Sequence, residues 1–340
     1  MKELHDGIVL VTISICLICG ARLAGKQKER MMKLKTVRKI WDEAPHNAFT
    51  DLISFKDNWY CAFREGESHV SDDGRLRVIR SSDGDGWSSV ALMTWDGGDV
   101  RDAKLSVTAE DQLMLSGAVR FLKPKDGNTH QSVTWLSSDG ENWSDPYACP
   151  TGLGTWRWSV TWHKGVAYSF GYSGKDKAGC LYRSEDGKSW EVVKDDVYPD
   201  ADTYGNETSI LFLEDGTAYC LLRRDKGGCT GMLGKAQPPY TDWEWHDLGV
   251  RIGGPKMIAL DNDRFVAGVR LYDEKTRTSL CWIDPQNAKL NEALTLPSGG
   301  DTSYSGLVLR DDVLWVSYYS SHEDKTSIYL ARVQIDESPK

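Results

Sequence analysis

The chain repeats one seven-residue pattern three times: SSDGDGW at residues 81–87, SSDGENW at 137–143 and SEDGKSW at 184–190. Each copy reads S-x-D-G-x-x-W. The pattern predicts a hairpin turn in which the Asp carboxylate accepts backbone N–H groups, the Gly takes a positive φ, and the Trp packs the turn onto the next blade of a repeated sheet. Because the pattern recurs, we interpret these Asp residues as parts of the fold and not as calcium ligands or catalytic groups.

A longer repeat surrounds these turns. A short apolar run, a polar turn and a second run rich in aromatic residues recur with turns at Asp57, Asp111, Lys164, Asp215, Asn262 and Asp311. The successive separations are 54, 53, 51, 47 and 49 residues, as in propeller blades. The repeat predicts an all-β, six-bladed β-propeller in a single domain over residues 34–336. The segment 34–41, which precedes the first blade, is expected to complete the last blade and close the ring.

Composition agrees with short strands and tight turns. The 340 residues include 14 Trp, 14 Tyr and 32 Gly. The formal net charge is −9, so the whole chain is not attracted to nucleic acid or to anionic lipid. Any site for an anion must therefore be local.

The N-terminus carries an apolar run, IVLVTISICLIC at residues 8–19. This run fits a signal peptide and is too short to span a bilayer. We expect a signal peptide at 1–21, a linker at 22–33, and a secreted or periplasmic protein with no membrane span in the mature chain. The alternative is a start of translation at Met31 or Met32, which would leave the protein in the cytoplasm.

Six cysteines follow this leader, spread singly and without a C-x-x-C pair, which excludes a zinc ribbon and a disulfide-dense scaffold. The histidines have no H-x-H or H-E-x-x-H spacing, and no glycine-rich phosphate loop follows a strand. We expect no metal and no cofactor.

In an antiparallel blade, the start of the first strand, the end of the second strand and the loop after it lie on one face of the ring. The starts of the first strands supply Asp102, Arg157, Glu207, Lys256 and Tyr304, and the ends of the second strands supply Arg64, Arg120, Arg223 or Arg224, and Arg270. The loop EGESHVSDDG (65–74) adds His69, Asp72 and Asp73. Four repeats place an Arg at the same point, which predicts an anionic ligand because the guanidinium group matches a carboxylate.

These residues resemble the bacterial exo-α-sialidase superfamily, whose six-bladed propellers carry S-x-D-G-x-x-W "Asp boxes". The segment NETSILFLEDGTAYCLLRR (206–224) resembles the one in which a Glu is followed sixteen residues later by a carboxylate-binding Arg, here Glu207 and Arg223. Tyr304 in DTSYSGLV resembles the nucleophilic Tyr. Arg64 resembles the Arg that contacts the sugar, and Asp102 resembles a pocket Asp of the second blade.

The resemblance implies a glycoside hydrolase that releases a terminal acidic sugar, a sialic acid or a related 2-keto acid, from glycans. Tyr304 would attack with Glu207 as its base, and Asp72 or Asp73 would act as the acid/base, with His69 as an alternative acid. The residues expected to bind substrate are Arg64, His69, Asp102, Arg120, Arg223, Arg224 and Arg270.

The family binds the carboxylate of its substrate with three arginines, and this sequence differs at two of those three positions. The stretch HNAFTDL (46–52) has no Arg where the family has one, and GGPKMIAL (253–260) puts Lys256 at the third position. A carboxylate-binding set rebuilt from Arg64, Arg120 and Arg270, or another acidic sugar, would account for the change.

Two alternatives stay open. One is a hydrolase or lyase acting on a uronic acid, with His69 and a Tyr or Asp as acid and base. The other is a non-catalytic carbohydrate-binding propeller whose Trp156, Trp158 and Trp162 stack on sugars, although their alternation favours strand packing. We expect a monomer in either case.

Overall fold

Apolar runs rich in aromatic and β-branched residues form antiparallel strands throughout residues 30–337, the part of the chain that this computed structural model describes. These residues form 23 strands, three short 3-10 helices and no α-helix. The strands make five sheets in a propeller-like arrangement, which confirms the prediction of an all-β fold. The predicted signal peptide, residues 1–21, lies outside the described residues.

The first two sheets follow the chain order, with strands numbered from the N-terminus. The first sheet contains β2 (His46–Phe55), β3 (Asn58–Gly66), β4 (Arg75–Ser81) and β5 (Ser88–Met93). The second contains β6 (Gly98–Val107), β7 (Leu113–Lys125) and β8 (Asn128–Ser137). Single antiparallel bridges from Thr134 to Tyr147 and from Ser137 to Trp143 extend its outer edge.

The third sheet contains β9 (Trp156–Arg157), β10 (Thr161–His163), β11 (Val166–Tyr172), β12 (Cys180–Ser184) and β13 (Glu191–Asp195). The fourth has seven strands: β14 (Gly205–Phe212), β15 (Ala218–Arg224), β16 (Thr230–Ala236), β17 (Trp243–Asp261), β18 (Arg264–Leu271), β19 (Arg277–Asp284) and β20 (Lys289–Thr295). The 3-10 helices are Pro150–Gly152, Gly174–Asp176 and Ala201–Thr203.

The last sheet joins the two ends of the described chain. It contains β21 (Thr302–Arg310), β22 (Val313–Ser320), β23 (Ser327–Glu337) and, at its edge, β1 (Arg30–Trp41). β1 pairs with β23 over its whole length, which confirms the prediction that the segment before the first blade completes the last sheet. The strand begins at Arg30, so the end of the predicted linker (22–33) belongs to β1.

The three S-x-D-G-x-x-W turns have the expected hydrogen bonds. In the second copy, Asp139 Oδ1 accepts the N–H groups of Glu141 and Asn142 at 2.8 and 2.7 Å, and Gly140 has φ 79°. Asp83 and Asp186 accept equivalent pairs of N–H groups in the other two copies. The carboxylates therefore stabilise the turns, as the repeat predicts.

These turns pack on the sheet before their own, and the prediction that they pack on the next blade is wrong. The Cα of Gly140, whose turn follows β8, lies against the Tyr60 ring of β3. Trp190 shares a buried cluster with Met114 of β7. Each turn folds over the preceding sheet, and side chains from the two adjacent sheets interdigitate in the core that they share.

All six described cysteines are free, and four of them are buried. Cys220 is fully buried, as expected of a small apolar residue in a strand. No helix within residues 30–337 is long and apolar enough to cross a membrane.

Candidate active site

Five strands carry a β-bulge where they begin to pair with the next strand. The register shifts lie between Ala48 and Asp51 (β2), Arg101 and Lys104 (β6), Gly205 and Thr208 (β14), Gly253 and Lys256 (β17), and Ser303 and Gly306 (β21). A bulge adds a residue and redirects the side chains around it, and such bulges are frequent beside active sites. The bulged segments include Phe49, Asp102, Glu207, Gly254 and Tyr304, and the candidate site is built around them.

Tyr304 and Glu207 are in direct contact. The Tyr304 hydroxyl donates a short hydrogen bond to Glu207 Oε1, and both residues are buried. Arg223 Nη1 donates to the same oxygen at 2.7 Å and lies 3.4 Å from the Tyr304 hydroxyl. The sequence predicted these three residues, and the structure brings them together.

The electrostatics of this group suit a neutral phenol beside a carboxylate. Burial and the charge of Glu207 raise the pKa of Tyr304 well above its usual value. Burial also acts to raise the pKa of Glu207, but the charge and hydrogen bond of Arg223 outweigh it, so the pKa of Glu207 is lowered. Glu207 is therefore an ionised proton acceptor for the Tyr304 hydroxyl.

Gly254 allows a close approach to both residues. Its N–H donates to Glu207 Oε2 at 2.8 Å, and a Cβ at this position would lie 1.9 Å from Tyr304 Cδ1. On another side of the Tyr304 ring, Trp158 packs edge-on at 5.4 Å and the ammonium of Lys104 lies 5.4 Å away. Trp158 is 2% exposed and so belongs to the core, as its alternation indicates.

Asp102 lies in the bulge of β6 with φ 58°. Burial raises its pKa, against the opposing charges of Arg101 and Lys104. Its carboxyl group has no hydrogen-bonding partner among the described residues. Arg101, which the sequence did not single out, bonds to Asp99 at 3.1 Å, and its guanidinium carbon lies 5.2 Å from the centre of the Phe49 ring.

Asp301 gathers a second group of polar side chains near Tyr304. Its Oδ2 lies 3.0 Å from His46 Nε2 and 2.6 Å from His69 Nδ1, and its Oδ1 accepts the Tyr319 hydroxyl at 3.0 Å. Arg270 Nη2 lies 3.5 Å from Oδ1 and donates to the Tyr319 hydroxyl at 2.8 Å. Sequence reasoning missed Asp301 and Tyr319; the only signal is that Asp301 lies three residues before Tyr304.

Asp301 is held in its ionised form. Burial acts to raise its pKa, but hydrogen bonds from His46 and His69 and the charge of Arg270 lower it overall. An ionised carboxylate only accepts hydrogen bonds, so His46 carries its proton on Nε2 and His69 carries one on Nδ1.

Arg64 does not face a substrate, which corrects its expected role. Its side chain is fully buried and pairs with Asp99 at 2.8 Å. Its other nitrogens donate to the carbonyl oxygens of Ser68 and Ser71 at 2.9 and 3.2 Å. Arg64 therefore holds the 65–74 loop in place.

The two candidate acids in that loop are engaged elsewhere. Asp72 is exposed and pairs with Arg120 at 2.6 Å. Both oxygens of Asp73 accept the Glu67 N–H at 3.2 Å. Burial acts to raise the pKa of Asp73, but its hydrogen bonds with Ser71 and Glu67 lower it overall, so this group is a poor proton donor near neutral pH.

Three other predicted positions lie outside the Tyr304 group. Arg224 donates to Asp247 at 2.6 Å and to Thr230 at the outer side of its hairpin, so of the two adjacent arginines only Arg223 joins the site. Lys256 pairs with Asp51 at 3.0 Å. Arg157 packs on Trp190 with its guanidinium carbon 4.9 Å from the ring centre.

His46, His69 and Asp301 form the one described group whose atoms are close enough to ligate a metal, within 4.8 Å of one another. The geometry does not fit an ion, because a metal on His46 Nε2 would move the proton to Nδ1. That nitrogen is buried and has no partner. A buried N–H without an acceptor is costly, so we interpret the group as a hydrogen-bonded cluster.

No family model and no curated protein matches the sequence. Solved structures do match the fold. A protein of unknown function from Dyadobacter fermentans DSM 18053 superposes with a TM-score of 0.79 at 18% identity, covering 90% of this chain and 99% of that one.

Two glycosidases share the fold at lower similarity. Trypanosoma rangeli sialidase has a TM-score of 0.66 at 12% identity, and the match covers 85% of this chain but 55% of the sialidase, so this chain corresponds to about half of that protein. Penicillium chrysogenum alpha-L-arabinanase, solved with arabinobiose, has a TM-score of 0.65 at 15% identity, with 88% of this chain and 98% of that one covered. At these identities the likeness concerns the fold, and function has to be argued from the site.

Proposed function

We propose that this protein is a six-bladed, sialidase-like exo-glycoside hydrolase that releases a terminal acidic sugar, a sialic acid or a related 2-keto acid, from glycans. The observation that carries the proposal is the Tyr304 hydroxyl bonded to Glu207, with Arg223 on the same carboxylate oxygen. A Tyr nucleophile with a carboxylate partner is the chemistry that sialidases use in place of two carboxylates.

The blade count rests on β17. Its residues up to Arg251 pair with β16, and those from Ile252 onward pair with β18. We therefore divide the seven-stranded sheet into two blades that share this strand. Together with the other four sheets, they make six.

In the first step, the Tyr304 oxygen forms a bond to the anomeric carbon while the bond to the leaving oxygen breaks. The phenolic proton passes to Glu207, and an acid in the 65–74 loop protonates the leaving oxygen. In the second step, the deprotonated loop group takes a proton from water, the water oxygen replaces Tyr304 at the anomeric carbon, and Tyr304 recovers its proton from Glu207. A neutral phenol suits an anomeric carbon that carries a carboxylate, because a charged nucleophile would be repelled.

Among the arginines, Arg223 and Arg270 both lie near the Tyr304 ring, and we assign them to the substrate carboxylate. Arg270 Cζ lies 5.7 Å from the Tyr304 ring centre. Arg101, on the far side of Phe49, is the third candidate and would replace the arginine missing from residues 46–52. Asp102, with no bonded partner, is placed to accept hydrogen bonds from sugar hydroxyls.

The first test is turnover of aryl glycosides of N-acetylneuraminic acid, deaminated neuraminic acid, Kdo and glucuronic acid. We expect the wild type to hydrolyse at least one 2-keto acid glycoside, and Tyr304→Phe to lose at least ~100-fold in kcat, because nucleophilic catalysis is removed. Tyr168→Phe, a tyrosine of the third sheet, is the matched control and should keep wild-type rates.

Covalent trapping identifies the nucleophile directly. A 2,3-difluoro derivative of the accepted sugar should add its glycosyl mass to the peptide that contains Tyr304, and Tyr304→Phe should not be labelled. Labelling of a carboxylate, or hydrolysis that survives Tyr304→Phe, would contradict the mechanism.

The Asp301 cluster favours a second candidate, a hydrolase or lyase for uronic acids. His69 and Arg270 both contact Asp301, so Arg270 would neutralise a uronate while His69 moves a proton. A lyase would release an unsaturated sugar that absorbs in the ultraviolet, whereas a hydrolase would not. The same substrate panel, extended to uronic acid oligomers, separates the two activities.

The proposal includes export and a monomeric state. Export, inferred from residues 8–19, would bring the enzyme to extracellular glycans. The monomeric state is supported by the large apolar side chains exposed within the described residues, because these include Val70, Leu122 and Leu309, which lie on separate strands and loops.

A further inference from the structure

His69 is oriented in a way that neither aspartate of its loop shares. Its Nδ1 donates to Asp301 at 2.6 Å, so Nε2 is the ring nitrogen left to exchange a proton. The side chain is 45% exposed, whereas Asp301 is largely buried. A carboxylate that binds one nitrogen of an imidazole sets its tautomer and orients its ring.

The loop around His69 is held rigidly. Arg64, itself paired with buried Asp99, binds the carbonyl oxygens of Ser68 and Ser71, one residue before His69 and two after it. The His69 ring packs edge-on against Phe49 at 5.0 Å. The Phe49 ring also packs against Tyr304 at 5.2 Å, so one aromatic ring contacts both the imidazole and the nucleophile.

We propose that His69, oriented by Asp301, is the general acid/base of the reaction, in place of Asp72 and Asp73. This assignment rests on the proposed function. The two aspartates are bound to Arg120 and to the loop backbone, whereas His69 Nε2 has no hydrogen-bonding partner among the described residues and the side chain is 45% exposed. The charged and titratable groups beside His69 are Asp301 and His46, with Arg270 behind Asp301.

The step balances without any further reagent. The imidazolium Nε2–H of His69 gives its proton to the glycosidic oxygen as the bond to the anomeric carbon breaks and the bond to Tyr304 forms. The neutral imidazole then takes a proton from the incoming water, whose oxygen displaces Tyr304. Asp301 stays ionised throughout and acts as a positioning residue.

The test compares leaving groups. For aryl glycosides of the accepted sugar, His69→Ala should lower kcat/KM by about 100-fold or more with a phenyl leaving group, and by less than about tenfold with dinitrophenyl, which needs little protonation. Asp72→Asn and Asp73→Asn, from the same loop, should show no such dependence.

Each outcome decides one question. A uniform loss across leaving groups with His69→Ala, or leaving-group dependence with Asp72→Asn or Asp73→Asn, would overturn the role of His69 while leaving the proposed hydrolase intact. Absence of turnover by the wild type on every glycoside would overturn the proposed function and this assignment with it. A melting temperature within about 2 °C of the wild type shows that His69→Ala is folded. If His69→Ala does not fold, His69→Gln takes its place in the same series of leaving groups.

Discussion

Arg157 is buried beside a thiol and has no carboxylate partner among the described residues. Its Nη2 lies 3.5 Å from Cys149 Sγ, its other terminal nitrogen is buried without a partner, and aromatic rings of Tyr182 and Trp190 flank it. A buried guanidinium without an anion is costly, and a thiolate at Cys149 would supply that anion. Burial acts to raise the pKa of Cys149, but the charge of Arg157 and the hydrogen bond from Thr151 lower it overall.

We therefore expect Cys149 to be alkylated by iodoacetamide at lower pH than Cys229, the other half-buried thiol. The thiolate is the reactive form, so a lowered pKa makes the rate level off earlier as pH rises. Arg157→Gln should slow the alkylation of Cys149 severalfold at pH 7, and Arg183→Gln, an arginine of the same sheet, should not. Peptide mass spectrometry of both thiols in one sample measures the ratio. Equal rates for Cys149 in the wild type and in Arg157→Gln would contradict the ion pair.

At the same scale, the arginines show what a sequence pattern can and cannot predict. The register placed Arg64, Arg120, Arg223 and Arg270 at equivalent strand ends, and it left Arg223 and Arg224 as alternatives. Their partners differ because each neighbouring loop supplies different acceptors: Asp99 binds Arg64, whereas Glu207 binds Arg223. Equivalent position therefore predicted one face of the ring, and only the packed structure shows which acceptor each guanidinium group binds.

At the scale of elements, the β-bulges decide the positions of the site residues more than the regular strands do. Alternation of apolar residues predicted the inner strands, but an alternating strand would send Glu207 and its neighbours to fixed opposite faces. The register shift between Gly205 and Thr208 changes that order and brings Glu207 toward Tyr304. Nothing in the local pattern of NETSILF announces the bulge, because it depends on close approach to the neighbouring inner strands.

Substitution of Gly254 provides a test of the bulge in β17. It has φ 55°, and a methyl group there would overlap the Tyr304 ring. Gly249 lies in the same strand with φ 68° and has open space around it. We expect Gly249→Ala to lower the free energy of unfolding by about 1 kcal/mol, the cost of a side chain at positive φ, and Gly254→Ala to cost ~1–3 kcal/mol more through overpacking.

Urea unfolding of the two variants measures this difference. Gly254→Ala should also lose the turnover and the covalent labelling predicted for Tyr304, whereas Gly249→Ala keeps both. Equal stabilities for the two variants would show that Tyr304 moves freely away from Gly254, which would contradict a tightly packed nucleophile.

At the scale of the whole molecule, closure depends on β1. The strand pairs with β23, which is almost 300 residues away along the chain, and covers an edge that would otherwise expose unpaired N–H and C=O groups. Within β1, Val37 pairs with Ala331, whereas Lys35 lies in a register shift between Leu34 and Thr36.

Proline at these two positions should have different effects. Val37→Pro puts a proline ring into the paired ladder and removes a side chain that packs on the core of the last sheet, so we expect a melting temperature several degrees lower and increased self-association through the exposed β23 edge. Lys35→Pro falls at the bulge, where proline is tolerated, and should stay close to the wild type. Calorimetry and light scattering measure both effects. Equal melting temperatures would mean that β1 contributes little to closure.

The sequence by itself determined the repeated strands, the S-x-D-G-x-x-W turns and the closing strand, because these follow from periodicity and local turn chemistry. It also predicted the set Tyr304, Glu207 and Arg223, through the resemblance of their segments to those of sialidases. Only the tertiary structure decided that Arg64 supports a loop, that Asp72 binds Arg120 and Asp73 binds the loop backbone, and that Asp301 accepts hydrogen bonds from His46 and His69. The pairings of Asp301 with His46 and His69 join residues more than 200 positions apart, and the others involve the 65–74 loop. They depend on where bulges and loops place side chains after the sheets have packed, and a one-dimensional pattern carries no information about that distance.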